Sequence, residues 1–242
     1  QEKPVDEKEV RLTVEAMDNP LSSTTALPDP SIDTLGRALR ELRISVIDRC
    51  NFRCSYCMPL GSMKGRGSFL PLERLLTDHE IVNVVQAFAG LGVRKIRLTG
   101  GEPLIRPGFP ALVGQLSRVP GIREIALTTN GVMLNRLAED LAAAGLDRIT
   151  VSLDTLDPEI LDQISGGKAN MHEVLEGIAA AETAGFESVK INTVVQKGVN
   201  DHTVMDLLED DPAEPGSGDL LHWLVRAESE CGGTLGTGQS GE

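Results

Sequence analysis

The chain has 242 residues, 40% hydrophobic and 24% charged, with a formal net charge of −13. That length and balance suit one sizeable globular domain, and the acidity excludes broad binding to nucleic acid or to an anionic membrane surface. No apolar run approaches the ~18 residues of a membrane span, and the charged stretch from Gln1 to Asp18 lacks the apolar segment of a signal peptide. A cytoplasmic protein is therefore expected, and a sequence that opens on Gln1 instead of Met reads as a fragment.

Residues 1–34 are polar, with prolines at 4, 20, 28 and 30 and the run Ser22-Ser23-Thr24-Thr25, and are read as a disordered lead-in. A core over 35–209 follows, in which β-branched or aliphatic runs alternate with helical stretches. The expected elements are strand 42–47, helix 77–90, strand 93–98, helix 109–117, strand 122–127, helix 134–144, strand 147–153, helices 157–164 and 171–184, strand 187–195 and helix 201–209. In the helix at 171–184, Val174, Leu175, Ile178 and Ala181 fall on one face. Gly90, Gly145 and Gly185 stand near helix ends, where a left-handed cap would use them. Alternating β and α units predict an α/β fold with a parallel sheet and helices outside it. Five such units fit a partial (β/α) TIM-type barrel as well as an open doubly wound sheet, and periodicity alone does not choose.

After Leu208 the pattern stops. Residues 209–242 hold eight acidic residues against the single base Arg226, seven glycines, and one brief apolar patch around Leu220 to Val225. The segment 210–242 is read as an aberrant, acidic, Gly-rich and disordered tail, not as a sixth βα unit.

Three of the four cysteines lie within eight residues, as Cys50-Asn-Phe-Arg-Cys54-Ser-Tyr-Cys57, directly after the first strand. A secreted disulfide framework would scatter them; clustering points to a metal. Three thiolates at spacings of four and three can wrap one [4Fe–4S] cluster from a single loop and leave one iron open to the amino and carboxylate groups of an amino-acid ligand. A structural zinc site wants four closed ligands, and no fourth Cys or His lies nearby. Thr99-Gly100-Gly101-Glu102-Pro103 follows the second strand. Its glycines would let backbone groups approach a ligand closely, and its carboxylate could accept hydrogen bonds from a bound ammonium.

The CxxxCxxC loop with Tyr56 before its last cysteine, together with the Gly-Gly-Glu-Pro turn, resembles the radical SAM superfamily. Within it the chain is most similar to the GTP 3′,8-cyclase family of molybdenum cofactor (molybdopterin) biosynthesis. The likeness rests on Asp-Arg-Cys-Asn-Phe-Arg-Cys at 48–54, Lys95-Ile-Arg97-Leu-Thr-Gly-Gly, Leu127-Thr-Thr-Asn-Gly131, Val151-Ser152-Leu-Asp154 and Lys190-Ile-Asn-Thr-Val-Val-Gln-Lys-Gly198.

The resemblance implies a lyase that converts GTP to (8S)-3′,8-cyclo-7,8-dihydroguanosine 5′-triphosphate, with hydrogen taken from ribose C3′ and a new bond at guanine C8. It implies that Cys50, Cys54 and Cys57 hold the cluster, that Tyr56, Gly101, Ser152 and Glu102 contact S-adenosylmethionine, and that Arg43, Arg97, Thr128 and Lys190 bind GTP, with Lys95 close by. An electron donor and a homodimer are further expectations. Taken singly, each Arg or Lys could be a solvated surface residue, and Thr128 and Ser152 could be capping hydroxyls. Another radical SAM activity and a non-catalytic metal- or cluster-binding module remain the alternatives.

The likeness ends near Glu209. Full-length members of the family carry a sixth strand and three further cysteines for a second cluster, whereas only Cys231 follows position 57 here. A truncated, impaired cyclase with an exposed strand edge is the expectation. The loop from Met58-Pro59 to Phe69 is also richer in Gly and Ser than the family pattern suggests.

Overall fold

The computed structural model describes residues 31–58, 69–209 and 221–228. Six strands run in one parallel sheet: β1 Glu41–Ser45, β2 Lys95–Thr99, β3 Glu124–Thr129, β4 Arg148–Ser152, β5 Val189–Gln196 and β6 Leu221–Glu228, hydrogen-bonded in chain order. A doubly wound sheet reverses its strand order partway. This one never does, so the crossovers keep to one face and the sheet is an arc of a (β/α) barrel. The choice that periodicity left open is thereby made.

Among the described residues, six α-helices connect the strands: α1 Asp78–Gly90, α2 Phe109–Leu116, α3 Leu134–Ala144, α4 Pro158–Ser165, α5 Met171–Thr183 and α6 Val204–Glu209. Their starts follow local chemistry. Thr77 and Glu80 form a reciprocal capping box at α1, and Asp157 accepts from Glu159 N and Ile160 N at α4 behind Pro158. Gly145 and Gly185 have positive φ as expected, but Gly90 is the last helical residue of α1 and the left-handed residue there is Gly92.

The strands alternate in a way that fully buried parallel strands do not. Ile96, Leu98, Ile125, Leu127, Ile149, Val151, Val189 and Ile191 are sealed against the helices. The intervening residues, among them Lys95, Arg97, Thr99, Thr128, Ser152, Lys190 and Asn192, stand on the opposite, inner face and keep partial exposure. The polar inner face is the lumen of the arc.

Gly114 in α2 tests the quality of this packing. A methyl group there would meet only ordinary contacts, the nearest at 3.8 Å. Gly114→Ala should therefore stabilise the chain by roughly 0.5–1 kcal/mol, read as a higher denaturation midpoint.

The reading that the βα alternation stops after Leu208 is corrected. β6 pairs along the whole of β5, from Val189 opposite Leu221 to Gln196 opposite Glu228, so β5 is not the exposed edge that was expected. Residues 210–220 and 229–242 lie outside the described residues, as do 59–68 and all but the last four residues of the lead-in. Those four already belong to an ordered turn: Ser31 N donates to Leu91 O, and Ile32 bridges Ala38.

Candidate functional site

A cleft of about 240 Å³ opens at the C-terminal ends of the strands, the end where barrels and other parallel α/β sheets bind ligands. Cys50, Cys54, Tyr56, Cys57, Gly101, Glu102, Thr128 and Ser152 all line it. The loop after β1 thus meets the turn after β2 and the ends of β3 and β4 in one place. Leu161, Ile164 and Ser165 of α4 form another wall.

The cysteine loop is held by its backbone. Arg53 N donates to Ser165 O at 2.9 Å and Ser55 N to Ile164 O at 3.0 Å, fastening the loop to the end of α4. Cys57 N and Met58 N both donate to Cys54 O, folding the last two cysteines into a tight turn. Phe52 N donates to the Cys50 sulfur at 3.3 Å. Arg53 Nη1 donates to the carbonyls of Cys50 and Phe52.

All three thiols are free. Burial pushes the Cys50 thiol up, and it pushes Cys54 up to about 12, with the Asp154 charge and the neighbouring cysteines adding to the rise. A nucleophilic cysteine would be depressed instead; thiols of this kind ionise on metal uptake, releasing protons. No three His, Cys, Asp or Glu side chains among the described residues are placed to hold one metal ion together. A cubane does not require that, because each thiolate binds a different iron. Three soft sulfur donors around an open cleft fit an iron–sulfur cluster better than a closed zinc site.

The glycine pair has a structural reason that the sequence did not disclose. A Cβ on Gly101 would fall on the Arg49 carbonyl, and one on Gly100 on the Ile47 carbonyl. Gly101 N donates to Ile47 O and Glu102 N to Arg49 O, each at 2.7 Å, so the β1–β2 ladder continues into the cysteine loop. The close approach is to the loop backbone.

Glu102 is 1% exposed and already engaged. Its Oε1 accepts from Leu104 N and the Thr129 hydroxyl, and its Oε2 from Asn130 N. Burial raises its carboxyl above the usual range against the pull of these bonds. Asn130 Nδ2 in turn donates to Asn51 Oδ1 at 2.7 Å, carrying the network into the cysteine loop. Tyr56 donates its hydroxyl to Asp154 Oδ2 at 2.7 Å, and burial followed by the Asp154 charge pushes the phenol up. Asn51, Thr129, Asn130 and Asp154 were assigned no role from sequence; Asn130 ahead of Gly131 is a turn signal, but nothing local marks its partners.

The expected triphosphate residues lie elsewhere. Arg43 stands opposite Arg97 in the β1–β2 register, and Lys190 opposite Thr150; neither arginine nor Lys190 lines the cleft. Arg97 Nε pairs with Glu41 Oε1 at 3.0 Å, and Lys95 Nζ with Glu124 Oε1 at 2.7 Å. Thr128 does line the cleft, and its buried hydroxyl has no hydrogen-bond partner among the described residues.

The chain is similar to several known proteins. The chain is 50% identical over 180 residues to the GTP 3′,8-cyclase of Xanthomonas axonopodis pv. citri, covering 74% of this chain and 54% of that protein. It is 47% identical over 177 residues to the GTP 3′,8-cyclase of Staphylococcus epidermidis, covering 73% and 52%. The chain thus spans about half the length of the curated relatives it matches. Among solved structures, Streptococcus suis SuiB bound to S-adenosylmethionine superposes with a TM-score of 0.62 at 19% identity, over 78% of this chain and 41% of that one. Methylornithine synthase (PylB) gives 0.58 at 20%, over 78% and 54%; at such identity the likeness is one of fold. The profile of the Radical SAM superfamily matches residues 44–210, and the chain belongs to that superfamily.

Proposed function

We propose that the chain carries the cluster- and substrate-binding (β/α) part of a GTP 3′,8-cyclase of molybdenum cofactor biosynthesis. The observation that carries this reading is the meeting of the three-cysteine loop, the Gly-Gly-Glu turn and the ends of β3 and β4 on one cleft. About 50% identity to named GTP 3′,8-cyclases, over three quarters of the chain, supplies the substrate.

When bound, a reduced [4Fe–4S] cluster supplies the electron that cleaves S-adenosylmethionine into methionine and a 5′-deoxyadenosyl radical. Cys50, Cys54 and Cys57 would hold that cluster. Tyr56, Gly101, Glu102 and Ser152 would line the S-adenosylmethionine subsite, Glu102 chiefly by holding the turn in place. Thr128 would offer its unpartnered hydroxyl to a ligand. Arg43, Arg97 and Lys190 would take the triphosphate on the inner strand face, where a guanidinium fork suits phosphate oxygens. The residues' share is to fix the two ligands near one another and keep water from them.

The cleavage consumes an electron, so an external one-electron donor belongs to the proposal, as do a homodimer and a cytoplasmic location. No helix among the described residues is long and apolar enough to cross a membrane. Three of the four cysteines in these 242 residues lie on this loop, a ligand set for one cluster. The activity expected of this part is S-adenosylmethionine binding and cleavage.

Anaerobic reconstitution of the full chain tests the reading. About four irons and four sulfides per chain are expected, with a visible spectrum perturbed by S-adenosylmethionine and GTP binding that Arg97→Gln abolishes. Zinc, or no metal on a folded chain, would overturn it.

A further inference from the structure

We propose that Asp154 is a positioning residue, whose carboxylate ties Tyr56, and with it the Cys54–Cys57 turn, to the ends of β4 and β5. The proposal rests on the reading of that turn as part of the cluster site and goes beyond it, because Asp154 has no place among the cluster, S-adenosylmethionine or GTP residues.

Asp154 lies two residues beyond the end of β4 and is 6% exposed. Its two carboxylate oxygens serve different elements. Oδ1 accepts from Val194 N of β5 at 2.9 Å, and Oδ2 accepts the Tyr56 hydroxyl at 2.7 Å. Its backbone carbonyl accepts from Asn200 Nδ2, and the same amide group reaches Val194 O at 3.0 Å. Asn200 is fully buried, and its Oδ1 accepts from Gln196 N. The carboxylate therefore stands on a rigid support at the barrel rim, and Tyr56 of the cysteine loop reaches it by a side-chain bond.

The backbone bonds from Arg53 and Ser55 to α4 fix the loop before Tyr56. Beyond it, Cys57 is exposed, and its backbone bond to Cys54 O is internal to the turn. Among the described residues, the Tyr56–Asp154 bond is thus the tie that orients the turn's second half against the sheet. A buried hydrogen bond to a charged acceptor is worth roughly 1.5–3 kcal/mol, enough to select one placement of a short turn.

Three variants of the full chain, Tyr56→Phe, Asp154→Asn and Asp154→Ala, test this. Asn can accept from Val194 N through its oxygen and donate to the Tyr56 oxygen through its amide, so it preserves the tie without the charge. S-adenosylmethionine binding to the reconstituted chain is the first readout. Tyr56→Phe and Asp154→Ala should each weaken binding about tenfold, while Asp154→Asn should stay within about threefold of the parent.

The second readout needs no cluster. Tyr56 is the only tyrosine in the sequence, so in the near-ultraviolet difference spectrum between variant and parent cluster-free chains, where the unchanged Trp223 contribution cancels, the tyrosine band reports this bond. It should shift to shorter wavelength in Asp154→Ala.

Parental affinity in a folded Tyr56→Phe chain would overturn the proposal. So would a loss in Asp154→Asn equal to that in Asp154→Ala, since charge and not placement would then be acting. If Asp154→Ala does not fold, a folded Tyr56→Phe chain with parental affinity still overturns the proposal, because that variant leaves the Val194 bond intact. Failure of the underlying reading looks different: the parent chain itself would take up no iron and sulfide.

Discussion

Gly101→Ala should unfold or severely destabilise the chain and abolish cluster uptake, although it adds a single methyl group. That methyl would fall on the Arg49 carbonyl and crowd Cys50 N, and all of these are backbone atoms that no rotamer change can move aside. Relief requires pulling the turn after β2 away from the loop after β1. Two short bonds would stretch or break, Gly101 N to Ile47 O and Glu102 N to Arg49 O, both 2.7 Å. Two buried backbone bonds and the displaced contacts amount to on the order of 3 kcal/mol or more. That corresponds to roughly 6–12 °C in Tm for a chain of this size. Thermal unfolding of the cluster-free chain measures it, with iron content after reconstitution as the second reading. Gly114→Ala, whose methyl meets only ordinary contacts, is the control. A Gly101→Ala chain with parental Tm and parental iron content would show that the turn does not depend on this approach.

The order of strands and helices was legible because each helix buries an apolar stripe and each strand buries alternate residues against it. The starts of β2 and β3 were each read two residues early, and for one reason. Val93 is fully buried and Ile122 packs against the core, yet both precede the ladders that begin at Lys95 and Glu124. Hydrophobicity marks where the core begins, not where the strand hydrogen bonds begin. β6 was missed for the opposite reason: acids and glycines around Leu221–Glu228 masked an eight-residue strand whose pairing is set by β5.

The cysteines and the glycine pair were legible because metal binding and close backbone approach each demand particular residue types at particular spacings. Their supports were not. Tyr56 and Asp154 are 98 positions apart and Glu102 is 28 from Asn130; only the closing of the barrel arc joins them. The basic residues show the same limit from another side. Arg97 was expected to bind GTP, with Lys95 close by, yet each has a carboxylate partner, Glu41 and Glu124. Strand position was readable from spacing, but charge balance across neighbouring strands depends on a register that one-dimensional sequence does not contain.

Glu102 is where these supports converge, and its replacement carries the second large effect. Three donors end on its carboxylate: Leu104 N at 3.0 Å, Thr129 Oγ1 at 2.7 Å and Asn130 N at 2.8 Å. Glu102→Ala strands all three and leaves a cavity behind, a loss of about 3–5 kcal/mol. Glu102→Gln keeps the shape but turns an amide NH2 toward at least one of the N–H donors, so it should lose less, about 1–3 kcal/mol. The two variants also differ from the parent in pH dependence. Burial raises the Glu102 carboxyl above its ordinary value of 4.5, so the folded chain holds the proton more tightly than the unfolded one. Its contribution is complete below 4.5 and is lost as pH rises through the raised folded value. The parent's advantage over Glu102→Gln should accordingly shrink as pH is raised from 5 to 8, measured by denaturant unfolding at each pH. A gap that widens over that window would mean that the three hydrogen bonds outweigh burial and hold Glu102 ionised in the folded chain.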